Sequence, residues 1–152
     1  MAHILVVDDD DIVAELASEI LLGAGHACGW VSTAAEAMKL LQWRRPDLLL
    51  LDELLPGERG SGFLRRLRNS PRFYDLPVIM FTSIDGLQDE RHAFYNGAQD
   101  YIRKPVDPKA LVWRVNKLLE ARSSRPQHRK LEEWAEFQLR NNKDDGPRQV
   151  FL

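Results

Sequence analysis

The sequence predicts an α/β domain built on a parallel β-sheet, and three observations lead to that prediction. Five short runs of mainly apolar and β-branched residues alternate with segments of helical periodicity, a pattern typical of parallel strands joined by right-handed crossovers. Acidic residues directly follow the first and third of these runs. A chain of 152 residues that is 44% hydrophobic and 29% charged also has the size and composition of one globular domain with a short extension.

The first strand and helix are marked by a change from aliphatic to acidic residues. Residues 4–7 form an uninterrupted aliphatic run, which is typical of a strand buried on both faces of a sheet. Asp11 is suited to cap a helix that extends to about Leu22, and Gly23 and Gly25 favour its end there. We therefore predict a strand, an acidic turn and a helix at the start of the chain.

The second and third strands flank a helix with clear start and stop signals. The second strand is predicted at residues 26–31. Thr33 and Glu36 have the spacing of a capping box ahead of several apolar residues, and Pro46 ends the helix that they begin. The third strand is predicted at residues 47–51, directly after that proline.

The remaining elements repeat the same alternation. Gly97 is a suitable C-terminal stop for the fourth helix, and Asp107 and Pro108 are suited to be the N-cap and first residue of the fifth. The elements are predicted as a helix at residues 60–69, a strand at 76–81, a helix at 86–96, a strand at 99–103 and a helix from 108 to about 120.

Carboxylates follow two of the predicted strands at the point where each strand ends. Asp8 and Asp9 come after the first strand, and Asp52 comes after the third. Parallel strands present their carboxyl ends at one edge of the sheet, where open α/β sheets hold their active sites. Three carboxylates in one crevice repel each other, and a divalent cation with oxygen ligands relieves that repulsion. Alone, Asp52 would be assigned to an exposed turn.

Two further polar positions complete a known pattern. Thr82 follows the fourth strand, and Lys104 followed by Pro105 ends the fifth. Together with the acids after the first and third strands, these positions agree in order and spacing with a response regulator receiver domain, which the chain resembles over residues 2–121. We therefore divide the chain into a receiver domain at residues 1–121 and an extension at 122–152.

The resemblance implies a flavodoxin-like (βα)5 sandwich with a five-stranded parallel sheet in the order 2-1-3-4-5. It implies that Asp52 is the phosphoacceptor. It also implies a Mg²⁺ site, in which Mn²⁺ can substitute, formed by Asp8, Asp9, Asp52 and the backbone carbonyl of Leu54. Asp9 is the expected direct ligand, and Asp8 is expected to act through water.

Three other residues receive roles from the same resemblance. Lys104 is expected to neutralise the phosphoacceptor and then the phosphoryl oxygens, with a cis peptide bond to Pro105. The Thr82 hydroxyl is expected to donate to the phosphoryl group, and Thr82 and Tyr101 are expected to act as the switch. Lys104 and Thr82 would thus stabilise the charge of a loose phosphoryl transition state.

Not every acid near this site receives a role in metal binding. Asp10 and Asp11 are suited to helix capping, and we assign both to it. Glu53, next to the phosphoacceptor, adds a fourth acid, and the sequence leaves open whether it binds the metal.

The resemblance implies a two-component phosphorelay in which a histidine kinase or phosphotransfer protein supplies the phosphoryl group. The output protein is unknown, and a second copy of this chain is a candidate partner. Two alternatives are a pseudo-receiver that acts only by protein contact and the receiver fragment of a longer regulator. A hydrolase with an aspartyl-phosphate intermediate is ranked last, because Leu54 occupies the place of its usual second acid.

Composition narrows the setting of the protein. One cysteine, Cys28, excludes disulfides within the chain and favours a reducing cytoplasm. Residues 1–3 lead directly into the first strand without a secretion signal, and no apolar run has the ~18 residues of a membrane span. Residues 1–120 carry an excess of acidic side chains, so we expect no direct binding to nucleic acid and none to a membrane.

The extension has its own sequence pattern. Residues 122–126 are predicted as a linker and 127–142 as a further helix, with Leu131 and Trp134 on one side. We expect this helix to dock near Trp113 or to mediate dimer contacts there.

Overall fold

A computed structural model of the chain describes residues 1–84 and 86–123. Five parallel strands form one sheet in the order β2-β1-β3-β4-β5, which confirms the fold class and the strand order. The elements are β1 His3–Val7, α1 Asp11–Gly23, β2 Ala27–Val31, α2 Ala34–Trp43, β3 Leu48–Leu51, α3 Gly60–Arg68, β4 Val78–Thr82, α4 Leu87–Tyr95, β5 Asp100–Arg103 and α5 Pro108–Ser123.

The sheet is buried between two layers of helices, and alternate residues of each strand face opposite layers. Along β1, Leu5 and Val7 pack with residues of α2 and α3, whereas Ile4 and Val6 pack with residues of α1 and α5. The central strands are buried on both faces, which explains their continuous aliphatic runs. The three layers leave the ends of the strands as the places where polar groups meet.

The helix starts follow the sequence signals with one correction. Asp10, rather than Asp11, is the N-cap of α1, and one oxygen of its carboxylate accepts hydrogen bonds from the N–H groups of Ile12 and Val13. Asp11 is the first helical residue, where a negative charge favours the helix N-terminus. Thr33 caps α2 by accepting the N–H of Glu36, as predicted.

The start of α5 was also predicted. The Asp107 carboxylate accepts the N–H of Ala110 at 3.2 Å, ahead of Pro108 as the first helical residue. Residues 122 and 123, predicted as the start of the linker, instead belong to the end of α5, so that part of the prediction was wrong. The rest of the linker, the predicted helix at 127–142 and its expected docking near Trp113 lie outside the described residues. Trp113 itself is 62% exposed. Within the described part of the chain, no helix has the length and apolar character needed to cross a bilayer.

Candidate functional site

The sheet delivers two buried carboxylates to the same edge. Asp8 directly follows β1, and its N–H donates to the carbonyl of Val31 on β2 at 3.0 Å. Asp52 directly follows β3, and its N–H donates to the carbonyl of Val7 on β1 at 2.9 Å. Each residue therefore continues the parallel ladder by one step, so both carboxylates leave the carboxyl end of the sheet. The two residues are 1% and 6% exposed, respectively.

Asp9 joins these two residues in a compact group of acids. Each of Asp8, Asp9 and Asp52 offers a carboxylate oxygen, and these three oxygens all lie within 4.8 Å of one another. We call these three residues the acidic cluster. Asp9 is exposed, so the cluster opens towards solvent on that side. Three convergent oxygen donors, one of them accessible, fit a hard cation such as Mg²⁺ that retains several of its waters.

Lys104 lies against the buried side of the acidic cluster. Its ammonium nitrogen is 2.5 Å from Asp8 Oδ2 and 3.4 Å from Asp52 Oδ2, and it lies 5.2 Å from the centre of the Phe81 ring. The backbone N–H of Lys104 donates to the carbonyl of Thr82, which brings the ends of β4 and β5 together. The peptide bond from Lys104 to Pro105 is cis, as the resemblance implied. Lys104 therefore lies closer to Asp8 than to Asp52, the expected phosphoacceptor.

Burial disfavours the charged form of the Asp8 carboxyl, and nearby positive charge offsets this only in part. The pKa of Asp8 is raised above its ordinary value of 3.8, chiefly because burial penalises the charged form. The hydrogen bond from Lys104 and that from the N–H of Asp10 lower the pKa, but they do not cancel the effect of burial. A bound cation would act in the same direction as Lys104. A cation bound beside Asp8 would therefore favour the charged form of its carboxyl.

Thr82 and Tyr101 both contact the residue Ile84, which follows β4. The Thr82 hydroxyl oxygen accepts the N–H of Ile84 at 3.3 Å, and the Tyr101 hydroxyl donates to the carbonyl of Ile84 at 2.9 Å. Thr82 is fully buried and Tyr101 is 6% exposed. Burial, followed by the charge of Asp89, raises the pKa of Tyr101. The Tyr101 ring already lies inside the protein here, so its movement on phosphorylation stays a prediction.

The loop between β3 and α3 is held against the phosphoacceptor candidate. The N–H of Leu54 points to Asp52 Oδ1 at 3.4 Å, while the Leu54 side chain is half exposed. At the start of α3, a side chain on Gly60 would place its Cβ 2.1 Å from the carbonyl oxygen of Asp52. Gly60 is therefore required for the close approach of α3 to Asp52. The use of the Leu54 carbonyl as a metal ligand stays a prediction.

Glu53 is turned towards α3. Its Oε1 atom accepts the N–H of Ser61 at 3.1 Å, the Ser61 hydroxyl at 2.9 Å and the Nε–H of Arg59 at 3.3 Å. The sequence left open whether this acid joins the metal ligands, and the structure gives it a different set of partners.

The groups around Asp52 are those that would stabilise negative charge during attack by its carboxylate. The Asp52 carboxylate lies 3.4 Å from the Lys104 ammonium, and its oxygen is grouped with those of Asp8 and Asp9, a donor set that could hold a cation. The buried Thr82 hydroxyl ends the next strand along the sheet. The arrangement suits the transfer of an electrophile that carries negative charge, such as a phosphoryl group. The expected residues Asp8, Asp9, Asp52 and Lys104 are brought together. The sequence did not reveal that Lys104 lies over the Phe81 ring or that Gly60 lies against the carbonyl of Asp52.

Comparison with protein families matches residues 4–116 to the response regulator receiver domain. Among curated relatives, the DNA-binding dual master transcriptional regulator RpaA of Synechocystis sp. is 35% identical over 127 residues, which cover 84% of this chain and 53% of the relative. The chain thus spans about half the length of such curated relatives.

Solved structures give the same result at the level of the fold. A signal receiver domain of a histidine kinase from Syntrophus aciditrophicus matches with a TM-score of 0.76 and 30% identity, covering 86% of this chain and 99% of that one. The BeF3-activated N-terminal receiver domain of RstA from Klebsiella pneumoniae matches with a TM-score of 0.72 and 30% identity, covering 77% and 97%.

Proposed function

We propose, from the premise that this chain belongs to the response regulator receiver domain family, that it is a phosphoacceptor switch. Asp52 accepts a phosphoryl group from a phosphohistidine on a histidine kinase or phosphotransfer protein, in the presence of Mg²⁺. The phosphorylated form then binds its output partner with a different affinity. The observation that carries the proposal is the convergence of the acidic cluster and Lys104 at the carboxyl edge of the sheet.

The proposed transfer requires one bond to form and one to break. A carboxylate oxygen of Asp52 attacks phosphorus while the phosphorus–nitrogen bond of the donor breaks, and the electron pair of that bond returns to the imidazole nitrogen. Lys104, which contacts Asp52 at 3.4 Å, neutralises charge on the transferred oxygens. The Thr82 hydroxyl accepts the N–H of Ile84 and retains its own proton to donate.

The cation has a separate role in this proposal. When bound by Asp8, Asp9, Asp52 and the Leu54 carbonyl, Mg²⁺ would neutralise charge on the phosphoryl oxygens. Asp8 and Asp9 hold this position from the end of β1, next to the phosphoacceptor. The site would then gain positive charge on the side of the acidic cluster that is open to solvent.

The signal would leave the site through Ile84. The Ile84 N–H donates a hydrogen bond to Thr82, and the Ile84 carbonyl accepts one from Tyr101. A displacement of Thr82 would therefore shift Ile84 and, through it, the Tyr101 hydroxyl. Tyr101 lies on β5, between α4 and α5, and we propose that the face made by these elements changes its partner affinity. The partner is an unidentified output protein or a second copy of the chain. We expect this reaction to occur in the cytoplasm, without direct contact to nucleic acid or membrane.

The decisive test is Asp52→Asn, which keeps the shape of the side chain but removes its charge and nucleophilicity. The parent is incubated with Mg²⁺ and a small acyl phosphate donor, and intact-mass and peptide analysis locate the added phosphoryl group. We expect the parent to gain one phosphoryl group and Asp52→Asn to gain none. Asp10→Asn is the matched control, because it removes the acid next to Asp9, which is not a member of the cluster, while an asparagine still caps α1.

The two alternatives relate to different observations. A parent that binds neither Mg²⁺ nor a phosphoryl group would indicate a pseudo-receiver that acts only through protein contacts. The second alternative, a receiver within a longer regulator, is favoured by the match to about half the length of curated relatives. Some of those relatives are named as DNA-binding regulators, so nucleic-acid binding would then belong to a further domain and not to residues 1–121.

A further inference from the structure

Glu53 joins the end of β3 to the start of α3 through both its backbone and its side chain. Its carbonyl accepts the N–H of Gly60 at 3.0 Å. Its Oε1 atom accepts three further hydrogens, two from Ser61 and one from the Nε of Arg59. Three consecutive residues at the beginning of α3 therefore converge on one residue, the neighbour of the phosphoacceptor candidate. We call this set of contacts the Glu53 clamp.

The clamp closes the loop that contains the expected backbone ligand. Residues 53 and 60 are hydrogen-bonded through their backbones, and the Glu53 carboxylate extends this closure into the first turn of α3. Next to it, Gly60 lies against the carbonyl of Asp52, where a Cβ would be 2.1 Å from that oxygen. The peptide of Leu54, whose N–H points to Asp52 Oδ1, lies inside the closed loop.

The negative charge of Glu53 is also stabilised within the clamp. Its carboxylate side chain is 15% exposed and faces the Arg59 guanidinium and the N-terminus of α3, both of which favour a negative charge. A fourth carboxylate turned towards the acidic cluster would otherwise add to the repulsion among its three carboxylates, whose oxygens lie within 4.8 Å of one another. The clamp thus removes Glu53 from the ligand set while it fixes the loop.

We propose that Glu53 is a positioning residue for the metal and phosphoacceptor site, which it serves by tying Ser61 and Arg59 to the end of β3. This inference rests on the proposed function, since it concerns how the same site binds Mg²⁺. Partners that orient metal ligands without touching the metal commonly change metal affinity by about 10–100-fold. Glu53 acts here through the backbone of Asp52 and Leu54.

The test compares four single variants of the full chain with the parent. Glu53→Ala removes the side-chain contacts of the clamp, and Glu53→Gln keeps an oxygen acceptor at the same distance from the backbone. Ser61→Ala removes the hydroxyl that donates to Glu53 but keeps the Ser61 N–H. Glu58→Gln is the control, because Glu58 lies in the same loop but pairs with Arg66. The readouts are amide hydrogen exchange of residues 54–61 in metal-free protein, Mg²⁺ affinity by calorimetry and the rate of labelling by a small acyl phosphate.

We expect Glu53→Ala to speed exchange across the loop and to weaken Mg²⁺ binding about tenfold, with a slower labelling rate. Ser61→Ala should show a smaller change in the same direction, and Glu53→Gln and Glu58→Gln should stay near the parent. If Glu53→Gln and Glu53→Ala lose Mg²⁺ affinity equally while Ser61→Ala does not, Glu53 is a metal ligand and the clamp is refuted.

The inference also fails if Glu53→Ala matches the parent in exchange and in Mg²⁺ affinity. That result is distinct from a failure of the proposed function, in which the parent itself would bind no Mg²⁺ and accept no phosphoryl group. Glu58→Gln distinguishes the effect of losing a negative charge in the loop from the effect of losing the clamp.

Discussion

The two edges of the sheet hold opposite excesses of charge, and the two sets of charges are satisfied in different ways. At the carboxyl edge, the acidic cluster shares Lys104. At the amino edge, Asp75 pairs with Arg45 at 2.8 Å and with Arg122 at 3.6 Å, and both arginines repel the nearby guanidinium of Arg68. We call Arg45, Arg68 and Arg122 the arginine cluster.

The hydrogen-bond acceptors of the Arg68 guanidinium are neutral carbonyl and amide oxygens. Its guanidinium donates to the carbonyls of Gly97, Phe73 and Tyr74 and to the side-chain oxygen of Gln99, at 2.9–3.3 Å. Burial, and then the charge of Arg122, lowers the pKa of Arg68 to about 9, so it remains protonated at neutral pH. Its bonds connect the end of α3 to the segments before β4 and β5.

The charges of Arg68 and of the acidic cluster differ in how completely protein groups satisfy them. The Arg68 guanidinium has four protein acceptors and a fixed place, so we expect it to stabilise the fold. In the acidic cluster, carboxylates outnumber the lysine that contacts them, and one carboxylate is exposed. A site of this kind gains most from a cation or a transferred group, and residues kept for such binding are commonly not optimal for stability.

The largest expected effect is the loss of stability from Arg68→Met. This change leaves the carbonyls of Gly97 and Phe73 with one donor fewer, and we expect a loss of roughly 3 kcal/mol in the free energy of unfolding. Urea unfolding followed by circular dichroism measures it. The control is Arg65→Met on the exposed face of the same helix, expected to change stability by less than about 0.5 kcal/mol. Equal midpoints for both variants would contradict a structural role for Arg68.

The next effect in size is on metal binding at the opposite edge. Asp9→Ala removes the exposed carboxylate of the acidic cluster, and we expect Mg²⁺ affinity to fall at least about tenfold, with phosphoryl uptake reduced in parallel. Calorimetric titration measures the affinity. Asp11→Asn, which changes a neighbouring exposed acid at the start of α1, should leave it unchanged. Unaltered Mg²⁺ binding in Asp9→Ala would rule out its role as a ligand.

Asp8→Asn should stabilise the metal-free protein by about 1 kcal/mol at neutral pH. The folded-state pKa of Asp8 is raised above 3.8, so this carboxyl favours folding below that value and loses that contribution as pH rises through its folded pKa. The gain from the asparagine should therefore be absent at about pH 3 and grow with pH.

Added Mg²⁺ provides the control for that prediction. Mg²⁺ should stabilise the parent by binding to its folded state, and it should stabilise Asp8→Asn much less. The difference in stability between the two proteins should therefore become smaller or change sign. Thermal unfolding with and without Mg²⁺ across pH measures both effects. A stabilisation by Asp8→Asn that does not depend on pH would show that the charge of Asp8 is not its cause.

The smallest expected effect concerns the lifetime of the phosphorylated form. Leu54 and Ile84 follow Asp52 and Thr82 by two residues each, and apolar side chains there cannot orient a hydrolytic water by hydrogen bonding. We expect the combined change Leu54→Asn and Ile84→Glu to speed loss of the phosphoryl group roughly fivefold, which corresponds to about 1 kcal/mol in the barrier. The decay of phosphorylated protein followed by intact mass tests this. Equal or slower decay in the double variant would sink the idea.

Much of the fold could be predicted because its signals are local. The strands are short aliphatic runs between turn residues, and Thr33, Asp107 and Pro108 mark helix starts by their own chemistry. The error at the start of α1 was one residue, because Asp10 and Asp11 are equally suited to capping and only the path of the chain selects Asp10. Strand order followed from the family resemblance and is confirmed by the pairing of β1 with both β2 and β3.

For β1 and β3, the sequence by itself determined which residues reach the carboxyl edge, because each of these strands ends where its aliphatic run ends and an aspartate follows. Only the tertiary structure decided what those side chains contact. Lys104 lies closer to Asp8 than to Asp52, and Glu53 turns from the acidic cluster to Ser61. These choices depend on contacts between residues far apart in the chain and on the competition between burial and charge pairing, which no local pattern of residues encodes.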